Sequence, residues 1–265
     1  MAEGVQDGLA NSLIKASQVA RETTVQRAPN GIAYAAFGDN LLADNDLQRI
    51  VQAVPTAIAA ALSRKAYYFV PLALSERRAG EGGDATLIAP AYTTELGDQA
   101  ICHRNVPLDN AEGVFISTRL LNDRFALAFE FFINVGHAFV EVAGVPDSFQ
   151  QMAWSQALSD VRGETSHDAW EARHLSLAGD RQPTRAEGKP IVDERAKNNF
   201  LDSAFSDAVA IYLLSLAIDF DYTELREREY PLLAPQPLAD RLKQVAKLFP
   251  PNPGYEFAIK YRRRA

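Results

Sequence analysis

The stretch FALAFEFFINVGHAFVEVAG (125–144) is apolar almost all the way round and long enough for about five turns of helix. Four polar side chains interrupt it: Glu130, Asn134, His137 and Glu141. Their offsets are i, i+4, i+7 and i+11, so a helix stacks them along one narrow stripe. Asn122 or Asp123 can cap this helix, and Gly144 and Pro146 close it. A second stretch, FLDSAFSDAVAIYLLSLAIDF (200–220), reads the same way, with Ser203 and Asp207 at i and i+4 among apolar neighbours. Two such helices predict a core of helix packed on helix.

Elsewhere the pattern changes period. NDLQRIVQAVPTAIAAALSRK (45–65) carries Leu47, Ile50, Val51, Val54, Ile58 and Leu62 at helical spacing, with a kink expected at Pro55. AYYFVPLAL (66–74), ATLIAPAY (85–92), QAICHRNV (99–106) and GVFISTR (113–119) read as strands, the first two joined by a charged, glycine-rich loop (75–84). Past residue 146 the spacing is helical: 147–161, 166–178, 200–220 and 237–249, broken by a polar segment at 179–199. The expected fold is α+β, a mixed sheet beside the buried 125–144 helix followed by a mainly helical C-terminal half. It divides as a polar N-terminal segment (1–30), an α+β sub-domain (31–146) and a helical sub-domain (147–265).

Composition narrows the function. With 265 residues, 47% hydrophobic, the chain can bury a large core. A net charge of −7 argues against a nucleic-acid binder, although the chain ends on the basic KYRRRA. Cys102 is the single cysteine, which excludes an intramolecular disulfide and fits a reducing compartment. The N-terminus lacks a signal-peptide layout, and no unbroken apolar run reaches the length of a membrane span. These features predict a cytoplasmic protein that binds neither membrane nor nucleic acid.

Polar groups on apolar helices must find partners, since an unpaired buried one costs about 1–3 kcal/mol. Asp207 on the second helix is the natural partner for His137 on the first, and a charged pair would raise the histidine's pKa and lower the aspartate's. ETSHDAWEARH contains two E-x-x-H units, Glu164/His167 and Glu171/His174, which we read as a solvated helix face, with a weak surface metal site as the alternative. Cys102 and His103 are neighbours on a strand and point apart, so they form no nucleophilic dyad. The basic residues of 179–199, among them Arg181, Arg185, Lys189 and Arg195, could meet an acidic ligand, but a solvated loop is the simpler reading.

INVGHAFVE (133–141) resembles the active-site helix of the zincin metallopeptidases, whose signature is H-E-x-x-H, and FLDSAFSDAVAIYLLS resembles the later helix that carries their acidic ligand. The resemblance covers about a third of the chain and implies a sheet above the first helix and a zinc site between the two. The match is incomplete. Of the two histidine ligands only His137 is present: Ile133 takes the place of the other, and Asn134 that of the general-base glutamate. Ser203 falls near the usual acidic ligand, with Asp207 four residues on, and Gln150 and Gln151 occupy an alternative ligand position.

Two functions follow. One is a non-hydrolytic pseudo-enzyme that keeps the metallopeptidase scaffold and binds a peptide or protein, with Glu130, Asn134, His137 and Asp207 lining its site and no cofactor. The other is a divergent metal-dependent hydrolase in which His137, Glu141 and Asp207 hold zinc or another divalent ion. Glu130 and Glu141 lie about 16 Å apart along a helix and cannot share one metal. We favour the first.

Overall fold

A computed structural model of the chain describes residues 13–39, 43–76, 85–109, 111–121, 123–177, 192–225 and 230–260. The chain separates into two compact units, Met1–Phe131 and Phe132–Ala265. The first is the sheet region and the second is mainly helical.

In chain order the first unit contains β1 (Ile14–Lys15), α1 (Ala16–Glu22), β2 (Gln26–Arg27), β3 (Ala33–Ala36), α2 (Asp44–Gln52), α3 (Thr56–Ala61), β4 (Lys65–Val70), β5 (Leu72–Glu76), β6 (Ala85–Ala89), α4 (Thr94–Gly97), β7 (Ala100–Ile101), β8 (His103–Pro107) and β9 (Glu112–Ser117). Then α5 (Arg124–Ala143) starts in the first unit and continues into the second. The second unit adds α6 (Asp147–Leu158), α7 (His167–Leu177), α8 (Glu194–Ala217), a short 3-10 turn (Tyr222–Leu225) and α9 (Pro235–Leu248).

The strands form two sheets rather than one. The five-stranded sheet has order β2-β3-β4-β9-β8, with β3, β4 and β9 parallel and both outer strands antiparallel. The other is antiparallel, with order β1-β6-β5-β7. The run 66–74 is therefore two strands, and Pro71 is where the chain leaves one sheet for the other; lacking an N–H, proline cannot continue a ladder. The run 99–106 changes sheets in the same way at Cys102. Buried Ser117, at the end of β9, ties the two crossings together. Its Oγ donates to the Ile101 carbonyl (2.5 Å) and accepts from the Ala73 N–H (2.8 Å).

β4 is buried on both faces, as a central parallel strand must be. Ala66, Tyr68 and Val70 join Val19, Ile88 and Phe115 in one cluster, with the Tyr68 and Phe115 rings stacked at 4.7 Å. On the other face Tyr67 and Phe69 meet Phe131 of α5, at 4.9 and 5.7 Å between ring centroids. Pro55 does more than kink the 45–65 run: it divides the run into α2 and α3.

Three expectations need amendment. Residues 13–30 are not a loose polar segment, because Ile14 pairs with Ile88 and Val19 is buried. The polar break at 179–199 ends earlier, since Glu194 already opens α8 with the Asp193 carboxylate accepting from the Ala196 N–H at 3.0 Å. Its residues 179–191, and 77–84 of the charged loop, lie outside the described residues. By length and composition α5 and α8 could each span a bilayer, although 56% and 78% of their apolar windows are buried in protein.

In the second unit α5 and α8 touch, as the two apolar runs require. Gly136 sets their separation, because a Cβ there would lie 2.5 Å from the Ser206 carbonyl oxygen. Phe139 and Phe205 meet beside this crossing at 6.3 Å. Asp123 is the residue that caps α5, its Oδ1 accepting from the Ala126 N–H at 2.6 Å. Gly144 closes the helix at φ +68°, with its N–H on the Val140 carbonyl at 2.8 Å. Replacing Gly136 by alanine gains about 1 kcal/mol of helix propensity, yet it forces two backbones apart. Gly136→Ala should therefore be destabilised by about 1–3 kcal/mol, and Gly136→Val by more, measured as the shift of the urea unfolding midpoint.

Candidate functional site

The polar stripe of α5 is not uniform. Glu130 is mostly buried, Asn134 is buried at 8% exposure, and His137 and Glu141 are exposed as the helix emerges at its C-terminal end. Ile133 is half-buried and offers only carbon atoms. On α8, Ser203 is half-buried and its carbonyl accepts from the Ser206 hydroxyl at 3.0 Å.

Asp207 and His137 do not form the expected pair. The Asp207 carboxylate accepts from the Thr165 hydroxyl at 2.8 Å and from the Ser166 hydroxyl. Its pKa accordingly moves opposite to the expectation, up to about 6. Burial is the largest cause. The two hydroxyls and the field of Arg241 oppose it, and the carboxylate of Glu164 adds to it. Nor do His137, Glu141 and Asp207 gather as ligands: among the described residues, no three His, Cys, Asp or Glu side chains are placed to hold a metal ion. The donor set does not fit the zinc that the resemblance implies.

What surrounds Asp207 is a buried charge network that the spacing of residues along the chain does not predict. Glu164 and Arg241 are both 0% exposed and Arg173 is 4%. Arg241 grips Glu164 with two nitrogens, Nη1 to Oε2 at 2.8 Å and Nη2 to Oε1 at 3.3 Å, while its Nε donates to Gln156 Oε1 at 2.8 Å. Arg173 Nη1 reaches Glu164 Oε1 at 3.2 Å and donates to the Val161 and Gly163 carbonyls at 2.7 and 3.1 Å. Gly163 (φ +84°) makes this possible, because a Cβ there would collide with the Leu232 carbonyl at 2.2 Å. Glu164 is thus no member of a solvated E-x-x-H face, whereas His167, Glu171 and His174 are exposed as expected.

The sequence did hold a signal for this network. Leu238, Arg241, Leu242 and Val245 form an i, i+3, i+4, i+7 stripe, as do Ala169, Ala172, Arg173 and Ser176. An arginine inside an apolar stripe must be paired where it is buried.

In the first unit the site residue is Glu130. Its Oε1 lies 2.5 Å from Nδ1 of His103, which sits on β8. Burial and the Glu130 carboxylate both raise the pKa of exposed Cys102, so its thiol stays protonated near neutral pH and is no activated nucleophile. Among the described residues β8 is the outer strand of its sheet. The Ser117 N–H donates to the Cys102 carbonyl (2.8 Å) and the Leu108 N–H to the Ala111 carbonyl (2.9 Å). With the register His103↔Ile116 to Pro107↔Glu112, this alternation turns the backbone of Arg104 and Val106 toward β9 and that of His103 and Asn105 outward. The side chains alternate between the two faces of the sheet: His103, Asn105 and Pro107 are exposed on one, and Arg104 and Val106 are half-buried on the other.

No protein-family model, curated protein or solved structure matches the chain.

Two outcomes test the charge network. Arg241→Met leaves the Glu164 carboxylate buried with one guanidinium instead of two, so the variant should lose about 3–5 kcal/mol in urea unfolding. Asp207 gives a pH signature. Its folded pKa lies above the unfolded 3.8, so the folded state holds the proton more tightly and stability falls as pH rises from about 4 to about 6. The stability difference between wild type and Asp207→Asn should shift against wild type across that window by up to about 3 kcal/mol, followed by urea unfolding at each pH.

Proposed function

We propose that this protein is a non-hydrolytic, metallopeptidase-like scaffold that binds an extended peptide or protein segment along β8. The outer edge of that strand, as the described residues form it, carries the reading. Outward amides and carbonyls at His103 and Asn105 are what an added strand hydrogen-bonds to, and the side chains beside them decide which strand is accepted. Pro107 ends the run of donors, which limits the added segment to a few residues and guards the edge against indiscriminate pairing. The pair His103–Glu130 stands at the start of that edge and presents a polar, ionisable feature to the ligand.

The lack of hydrolysis follows from the residues themselves. Ile133 cannot ligate a metal, the Asn134 amide cannot take a proton, and Asp207 is turned to Thr165 and Ser166. The expected result is that zinc-supplemented protein leaves casein and peptide libraries uncut. Cleavage that a chelator stops and His137→Ala abolishes would sink the reading. In a selection from a displayed random-decapeptide library, we expect clones whose binding is lost in Asn105→Pro, with the circular dichroism spectrum unchanged. Clones that bind wild type and Asn105→Pro equally would rule out the β8 edge.

A further inference from the structure

The chain that follows α9 turns back onto the helical unit. Pro250 and Pro251 stop the helix after Leu248, since neither has an N–H to continue its ladder. Asn252-Pro253-Gly254-Tyr255 then reverses direction, with the Tyr255 N–H donating to the Asn252 carbonyl at 3.1 Å and Gly254 at φ +90°. Proline in the second position and a left-handed glycine in the third are what a type II turn requires. Among the described residues nothing lies within 4 Å of where a Gly254 Cβ would stand, so the backbone conformation asks for glycine and the available space does not.

Beyond the turn, burial alternates with period two. Tyr255, Phe257 and Ile259 are half-buried, and Glu256, Ala258 and Lys260 are exposed. An extended chain lying on an apolar surface gives this pattern, yet among the described residues the segment belongs to no sheet. Its side chains make the contacts. Phe257 meets Tyr212 of α8 edge-on at 5.3 Å, and the Tyr212 hydroxyl donates to the Phe249 carbonyl at 2.7 Å, just past α9. Phe257 and Ile259 form one wall of a cavity of about 200 Å³, whose other walls include Ile211 and Ile218 at the end of α8 and Leu238 and Leu242 of α9. The segment therefore covers an apolar face of the two helices through alternate side chains.

We propose that Tyr255–Lys260 is an exchangeable arm: it docks on α8 and α9 of its own copy or on the same face of a second copy of this chain, and the Asn252–Tyr255 turn decides between the two. The inference is independent of the β8 edge. Every contact of the arm is the same in either arrangement, so exchange needs no new complementarity. Only the hinge differs. A closed turn keeps the arm beside its own helices, at an effective concentration roughly in the millimolar range for so short a linker. With three prolines in five residues, an opened Pro250–Gly254 is a stiff, extended spacer that carries the arm away from its own copy. A side chain at position 254 disfavours the closed turn, because the left-handed region is costly for a residue with a Cβ, and it leaves the extended form unstrained.

The test compares three full-length chains, wild type, Gly254→Val and Gly254→Val with Phe257→Ser, each refolded from urea at matched concentrations and sized by light scattering. Gly254→Val is expected to dimerise at a concentration at least about tenfold lower than wild type, the factor that a left-handed φ costs a residue with a Cβ. Adding Phe257→Ser should restore the monomer, because the arm loses its contact with Tyr212. An equal mixture of isotope-labelled and unlabelled Gly254→Val then locates the arm: exchange gives ring-to-ring NOEs between Phe257 of one copy and Tyr212 of the other. A Gly254→Val chain no more dimeric than wild type would overturn the proposal. So would a dimer that Phe257→Ser leaves intact, or one whose Phe257–Tyr212 NOEs all arise within a single copy. Where Gly254→Val fails to refold, Gly254→Ala takes its place in the same comparison.

Discussion

Glu164 has no route to water, and the helical unit is arranged around that fact. A carboxylate taken wholly out of solvent costs several kcal/mol unless charges and donors replace the water it loses. Arg241 arrives from α9 and Arg173 from α7, and each brings further constraints. Gln156 of α6 must accept from Arg241, and the carbonyls of Ala157, Val161 and Gly163 must point at Arg173. One residue further along, Thr165 hands the same segment to Asp207 on α8. Two guanidiniums and two carboxylates thus fix α6, α7, α8 and α9 against one another. Apolar packing alone tolerates sliding; a bidentate ion pair with both partners buried does not. That the network specifies the helix arrangement, more than it adds to stability, is the better account of its presence, because well-packed apolar residues could match its energy.

Asp207 has a different position in this set. It lies near Arg241 without touching it, holds two hydroxyl donors, and is less acidic than a surface aspartate. The triad alone carries a net charge of +1. Exposed Asp160, its Oδ1 3.6 Å from Arg173 Nη2, offsets part of that charge from the solvent side, and Asp207 lies in the field of Arg241. Burial pushes toward protonation and Arg241 toward ionisation, and with burial the stronger the balance falls near pH 6. The pairing with His137 would have produced the opposite shift, so the sign of the perturbation, and not only its partner, separates the two arrangements.

Much of the layout is legible in the chain. Period and apolarity mark α5, α8 and α9, and every strand the sequence indicates is present. What escapes has physical causes. β3 is AYAA, too short and too small in its side chains to show an alternation. Whether 66–74 was one strand or two depended on Pro71, which reads equally as an edge residue or a switch of sheet. The triad joins residues 9 and 77 positions apart, and such pairings are not carried by any local period. Arg173 and Arg241 did announce themselves by sitting within apolar stripes, yet nothing short of the fold says that Glu164 is the group they share. The candidate site suffered the same way: Asp207 was visible as an expensive residue, but its partners come from a loop whose sequence, ETS, has no feature that distinguishes it.

A chain that obeys local rules nearly everywhere is informative where it breaks them. α8 opens with an aspartate cap and an acidic first turn, as its dipole favours, and closes with no basic residue and two carboxylates beyond. Nothing in folding requires that second choice; a lysine at 219 or 221 would serve the helix better. The same end of the helix borders a cavity whose hydroxyls have already donated their protons elsewhere. The polar stripe of α5 makes the contrasting case. There the residues that would carry chemistry are carbon at Ile133, a buried amide at Asn134 and an exposed imidazole at His137, and each is compatible with a helix that packs and terminates without any guest. Physical cost, more than likeness to a motif, therefore marks the places where packing alone does not account for the residues.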